Sequence, residues 1–412
     1  MNKPTLWAIF TNYMLIGLKG WGGPVAQIQV IHEDAVEKKG WLDNDTFREA
    51  YAVCSMIPGP EAAELCMYVG YYQRKAWGGI LAGLGFMLPN FLLITLLSWM
   101  YFQYTRSSNF IHYILFGVKP AMIAIVAYSL YRLANKFGVL HNRKMLFISC
   151  LMLVSGLLIK VDLVLLLLAM GFVYLLLNRD DAPGDGRDTS GGSEGKSGHN
   201  GGSNSGNKNM GSANLAVSLH LASSSVSAWI STWAAGKLVS LSWLFFKIGA
   251  LSFGGAYTVL ALLQFEAVDH YGWLTTNEYI DGLAINELTP GPLIMVAAFV
   301  GFAANGWWGA ALATFFIFLP AFLLIVVGAP YFEKIRKNRR LKIYLAGVSA
   351  AVVGLTAYFL ITLSLGVFRD WVSPIVALIC LFLLIRLKWP LWAVFACGIV
   401  LGLGALWLEL VK

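Results

Sequence analysis

Residues 56–64 read MIPGPEAAE and residues 288–296 read LTPGPLIMV. Each sets two prolines about a glycine inside a stretch otherwise apolar enough to lie in lipid. Proline removes a backbone donor and its ring crowds the preceding turn, so neither stretch is an uninterrupted helix. Irregular backbone survives at membrane depth only where protein buries it or where it lines a watery cavity. The same break, made twice and 232 positions apart, points to a built feature rather than to one damaged span.

The surroundings of the two breaks give the class. The chain has 412 residues, 58% hydrophobic and 13% charged, with a mean hydropathy of +0.66; soluble proteins average about a quarter charged. Apolar runs of about 20 residues, enough to cross a ~30 Å hydrocarbon core, recur from end to end. They are continuous rather than alternating, which excludes a β-barrel and implies an all-α polytopic membrane protein in a lipid bilayer. The formal charge of +8 gathers in short loops, as positive-inside bias predicts, so it is no sign of a nucleic-acid partner. The N-terminal MNKPTLWAIF runs into GLKGWGGP without a small-residue cleavage site and reads as a retained first helix. None of the five cysteines forms a C-x-x-C pair, and all lie in apolar surroundings, as small hydrophobes do.

Further matches surround the two breaks. Gly22-Gly23 aligns with Gly254-Gly255, and Gly40-Trp41-Leu42 with Gly272-Trp273-Leu274, at the same spacing of 232 as Pro58-Gly59-Pro60 and Pro290-Gly291-Pro292. The spacing then slips slightly: Trp77-Gly78 matches Trp308-Gly309, Pro89 matches Pro320, and Ala127-Tyr128 matches Ala357-Tyr358. The chain therefore reads as two homologous halves, 1–178 and 237–412, joined by a linker, 179–236. Within the linker, 179–214 is mostly Gly, Ser, Asn and Asp, a composition that cannot offset its ordering entropy and implies disorder. Leu215, Leu219, Ala222, Val226, Ile230 and Trp233 then recur at helical spacing, as an interfacial helix or as the approach to the next span.

Each half offers six apolar segments, about 7–28, 48–71, 77–103, 111–131, 145–159 and 161–178, then about 240–263, 279–304, 308–330, 343–366, 372–387 and 390–410. Loop 132–144 carries Arg132, Lys136, Arg143 and Lys144 and follows the fourth segment of its half. Loop 331–342 carries Lys334, Arg336, Lys337, Arg339, Arg340 and Lys342 but follows the third. If both are cytoplasmic, the halves are inverted repeats with an odd number of crossings each. That follows if the Pro-Gly-Pro segment is a broken, re-entrant hairpin, leaving about five full spans per half.

Paired broken segments in an inverted repeat point to a transport site near the midplane. Pro60 and Pro292 suit a first helical turn, where a missing N–H is harmless, and the free N–H groups that follow favour an anion. The expected substrate-binding set is Gly22, Gly23, Pro24, Pro58, Gly59, Pro60, Glu61, Gly254, Gly255, Pro290, Gly291 and Pro292, with the glycine pairs as the wall opposite the turns. Glu61, Glu64, Glu287, Lys19 and Lys247 are ionisable groups in apolar segments and are expected in coupling or gating. His32-Glu33-Asp34 has metal-ligand chemistry, but its repeat partner is Gln264-Phe265-Glu266 and nothing completes a sphere; a solvated loop without metal is expected. There is no phosphate-binding Gly-Lys-Ser/Thr loop, no nucleophile constellation and no cofactor signature, so an enzyme is not expected.

The runs GWGGPVAQI, MIPGPEAAEL with YVGYY, FGGAYTVL with HYGWL, and ELTPGPLIMVAAFVGF are similar to those of the chromate ion transporter family in its long, two-domain form. The resemblance covers the chain outside 179–236, and the linker is long and Gly/Ser-rich for the family. It implies a multi-pass carrier in the bacterial inner (plasma) membrane that exports chromate, a tetrahedral dianion shaped like sulfate, by alternating access between the halves. A homodimer is a candidate assembly. An anion channel on the same architecture, or an intramembrane lipid-modifying enzyme using Glu61, Glu64 or Glu287, stands as the alternative.

Overall fold

The computed structural model describes residues 3–21, 23–55, 57–104, 109–158, 162–178, 236–253, 256–328 and 339–407. The linker reading at 179–235, most of the basic loop 331–342, and Gly22, Gly254 and Gly255 lie outside the described residues.

Every regular element among the described residues is helical. In the first half α1 is Leu6–Lys19, α2 Gly23–His32, α3 Asn44–Cys54, α4 Glu61–Tyr104, α5 Asn109–Lys136, α6 Arg143–Leu158 and α7 Leu163–Leu177. In the second, α8 is Lys237–Ala250, α9 Ala256–Gln264, α10 Thr276–Glu287, α11 Val296–Gly328, α12 Arg339–Val367, α13 Val372–Arg386 and α14 Leu391–Trp407. The order repeats down to its irregularities. A π-helical turn follows α2 at Glu33–Lys38 and α9 at Phe265–His270. α4 turns back at Arg74 (φ −135°, ψ 29°) and Lys75 (φ 52°, ψ −145°), and α11 at Asn305 (φ −155°, ψ 38°) and Gly306 (φ 57°, ψ −145°). Small residues allow these folds: Gly70 lies against the Gly78 backbone, and Gly301 against that of Gly309. Glu61–Tyr104, Leu293–Gly328 and Arg339–Val367 are long and apolar enough to cross a membrane.

Three expectations change. The first apolar segment of each half is not one span: 7–28 breaks after Lys19 into α1 and α2, and 240–263 breaks after Ala250 into α8 and α9. Glycine's backbone freedom is the reason, since Gly23 sits at φ +79°. His32-Glu33-Asp34 is not a loop but the helical junction of α2 and its π turn, where Asp34 accepts from Asn12 (2.7 Å) and Lys39 (3.0 Å). Arg132 and Lys136 belong not to a loop but to the last turns of α5.

The halves interleave. α1 packs on α4 and α8 on α11 within each half, while α4 packs on α11 between them. The terminal pairs cross over: α6 and α7 lie on α12, and α13 and α14 lie on α5. Close glycine contacts permit this on both sides, Gly117 against Gly398 and Gly347 against Gly171 and Tyr174. Ser149 Oγ donates to the Ala350 carbonyl at 2.6 Å across one of these seams.

Candidate functional site

The two Pro-Gly-Pro turns interrupt equivalent helices. α3 closes at Cys54, Ser55 N–H donates back to the Tyr51 carbonyl (2.9 Å), and Glu61 opens α4 with Glu64 N–H donating to the Pro60 carbonyl (3.0 Å). α10 closes at Glu287, Thr289 Oγ1 donates to the Asn286 carbonyl (2.7 Å), and a 3-10 turn at Leu293–Met295 leads from Pro292 into α11. In both cases the second proline stands where a helix start leaves its missing donor harmless.

Each turn seats against the opposite half. Gly291 N–H donates to the Gly20 carbonyl (3.2 Å), and Gln27 Nε2 donates to the carbonyls of both Gly20 (3.1 Å) and Gly291 (2.5 Å). The break between α1 and α2 is thereby stitched to the second turn. Gly291 also lies on Asn90: a Cβ there would come within 2.7 Å of the Asn90 Cβ and Cγ. At the first turn a Cβ on Gly59 would meet the Glu64 carboxyl and, at 3.3 Å, the Ala321 Cβ. Asn90 follows Pro89 and Ala321 follows Pro320, so the two contacts occupy one repeat position and exchange between halves. Glu64 (0% exposed) and Asn90 (1%) are the polar members of this arrangement, and none of their side-chain polar atoms has a protein partner. Buried polar atoms of this kind carry an unrelieved desolvation penalty of about 1–3 kcal/mol each.

Beside the turns lies a cavity of about 870 Å³ that both Pro60 and Pro292 line, together with Gly23 and Gln27. Three cations, Arg132, Lys136 and Lys388, face it against one carboxylate, Glu61. Glu61 and Lys136 are paired at 2.6 Å, with the Tyr51 side chain beside the same carboxylate. Arg132 rests over the Tyr128 ring, 5.6 Å from its centroid. Lys388, between α13 and α14, is a non-glycine residue at φ 52°; such strain persists where surrounding structure enforces it, and it clusters at functional sites. Hydroxyls of Ser129 and Tyr257 and the indoles of Trp21, Trp389 and Trp392 add potential donors. A smaller cavity of about 200 Å³ shares Trp21, Gly23, Leu293, Leu391 and Trp392 and is also lined by Gly291, Asn286 and Glu287. Donors and cations around the larger space favour an anion.

Of the residues singled out by sequence, Gly23, Pro60, Glu61 and Pro292 line the larger cavity, while Gly23, Glu287 and Gly291 line the smaller. Pro58, Gly59 and Pro290, within the turns, and Glu64, behind the first of them, are in neither lining. Pro24 lies in the first turn of α2. Lys19 is exposed at the end of α1. Lys247 is engaged elsewhere, by Asp162 (3.1 Å) and Glu266 (2.7 Å), with His270 on the same Glu266 carboxylate (2.7 Å). A separate pair, Lys119 with Asp281, lies at 2.7 Å. Sequence reasoning missed Gln27, Asn90, Arg132, Lys136 and Lys388 as site residues. A sequence signal existed for some: Asn90 directly follows a proline whose repeat partner is followed by alanine, and Arg132 and Lys136 are one turn apart at the end of an apolar run.

The family described as "Chromate transporter" matches residues 7–175 and 239–403. A chromate transport protein of Pseudomonas aeruginosa is 34% identical over 86% of this chain and 79% of its own length. One from Cupriavidus metallidurans is 30% identical over 93% of this chain and 89% of its own. An uncharacterised transporter of Bacillus subtilis is 31% identical over 30% of this chain and 59% of its own length. No solved structure matches the chain.

Proposed function

The chain belongs to the chromate transporter family, and from that premise we propose that it is a secondary carrier exporting chromate, or a sulfate-like oxyanion, across the bacterial inner membrane. The membrane protein is a transporter and not an enzyme. The observation that carries the proposal is the cavity where Pro60 and Pro292 meet Arg132, Lys136 and Lys388. Three cations against one carboxylate leave a net positive site, and a dianion entering it exchanges its water shell for fixed donors. The turns supply backbone N–H groups at helix starts beside that charge.

The pseudo-twofold exchange of contacts, Gly59 with Ala321 and Gly291 with Asn90, supports a pair of structural repeats at 1–178 and 237–412. An inverted membrane orientation, with the Pro-Gly-Pro segments dipping and returning, fits that symmetry and the family of broken-helix carriers. Glu64, buried without a partner behind the first turn, is the best placed of the coupling candidates; Glu287 borders the smaller cavity. Lys247 serves a neighbouring ion network instead.

The test is chromate uptake into everted membrane vesicles, with sulfate and molybdate as competitors. Accumulation under an imposed gradient or potential is expected. Its absence refutes export; uptake that never exceeds the electrochemical equilibrium makes the protein a channel.

A further inference from the structure

Lys136 lies on the cavity wall with its ammonium turned to Glu61, at 2.6 Å. The carboxylate is 13% exposed and the lysine 42%, so the pair sits at the water boundary of the cavity, neither sealed in protein nor free in solvent. Among the described residues Glu61 is the only carboxylate in that lining, with the Tyr51 side chain beside it. The other charged groups facing the space, Arg132 and Lys388, are cations. The second half has no such pair: Leu293 stands at the repeat position of Glu61, and α12 ends in Ser364-Leu365-Gly366-Val367 where α5 ends in Lys136.

Resting on the transport reading above, we propose that Lys136 is an anion ligand held in reserve by Glu61, and that the pair is a latch which the substrate opens. With the cavity empty, Glu61 occupies the lysine as an internal substitute for the anion. A tetrahedral dianion carries two charges and several acceptor oxygens, and it competes for Lys136 with Arg132 and Lys388 already facing it. Once displaced, Glu61 stands beside a like charge, so occupancy itself loads the gate, and departure of the anion lets the pair close again. The device is confined to the first half, and it makes binding and opening a single event on that side.

The signs distinguish a latch from a structural ion pair. Chromate binding to the purified full-length protein in lipid nanodiscs, measured calorimetrically, is expected to tighten roughly fivefold in Glu61→Gln, because the competitor is gone. It should weaken roughly tenfold in Lys136→Gln, which loses a charged donor. In the Lys136→Gln background, adding Glu61→Gln should recover only the part due to repulsion. Transport by Glu61→Gln should fall although binding tightens, since nothing drives the anion off. Glu61→Asp keeps the charge on a shorter arm and should tighten binding to a smaller degree, which secures the test if Glu61→Gln does not fold. Unchanged or weaker binding in both Glu61 variants overturns the latch while leaving the carrier reading intact. Absence of oxyanion binding by the wild type and every variant removes both.

Discussion

Substituting Gly291 by alanine tests whether the second turn is wedged between the halves. Two terms add. The residue sits at φ +129°, where a side chain is strained by about 1–3 kcal/mol. The new Cβ would also stand within 2.7 Å of the Asn90 Cβ and Cγ, an overpacking worth about 1–3 kcal/mol. Gly291→Ala is therefore expected to destabilise by about 2–6 kcal/mol. Asn90→Ala alone should be nearly neutral in stability, because the amide it removes is buried with neither polar atom partnered. Combined, the two changes remove the contacts with the Asn90 Cγ and amide but leave the Cβ–Cβ contact and the backbone strain, so the double mutant should recover only part of the overpacking, about 1 kcal/mol, a coupling between residues 201 positions apart in sequence. Intrinsic tryptophan fluorescence during thermal unfolding in detergent reads the order of stabilities, and vesicle uptake of chromate reads function. A double mutant no more stable than Gly291→Ala, or a Gly291→Ala protein that melts with the wild type, refutes the reasoning.

Lys75 and Gly306 occupy one position of the repeated hairpin turn at φ 52° and 57°, so Lys75→Gly should stabilise and Gly306→Ala destabilise by about 1 kcal/mol each; nothing lies within 4 Å of a Cβ at Gly306, so any larger loss in thermal unfolding contradicts this. Arg132→Gln and Lys388→Gln should raise the KM for chromate and flatten its dependence on ionic strength, while leaving melting within ~0.5 kcal/mol of the wild type. Glu64→Met should raise stability by about 1–3 kcal/mol, because it removes a carboxyl buried without a partner and puts an apolar side chain where the repeat partner, Val296, has one, while vesicle uptake falls. Glu64→Met that loses stability would show instead that the carboxyl is satisfied in the folded protein.

How much of this was legible follows from which features are local. The duplication and the two broken turns could be read directly, because Pro-Gly-Pro and the 232-residue register are properties of short stretches. The glycine break between α1 and α2 was visible as composition but not as a break: Gly20-Trp21-Gly22-Gly23 carries no charge, so nothing in it forces the apolar segment to end. Arg132 and Lys136 read as loop in the sequence because cations at the end of an apolar run commonly mark its exit from lipid; only the packing of α13 and α14 on α5 makes that helix end the wall of a cavity. Asn90 carried no periodic signal, and its importance arises from a glycine of the other half. Lys247 shows the converse, since intramembrane charge marked it and it is neutralised by carboxylates away from the larger cavity.

The crossed terminal helices have a mechanical corollary. Because α6 and α7 lean on α12 while α13 and α14 lean on α5, the boundary in the sequence is not a seam in the solid. Rocking residues 1–178 against 237–412 would tear four helices from their main neighbours, so alternating access between the sequence halves is the wrong partition. The pieces that can shift intact are chimeras of both copies: an inner pack of α1, α4, α8 and α11, and two outer triplets, α5 with α13 and α14, and α12 with α6 and α7. The two repeats are thereby intertwined within one polypeptide, each supplying the last two helices that pack on the other.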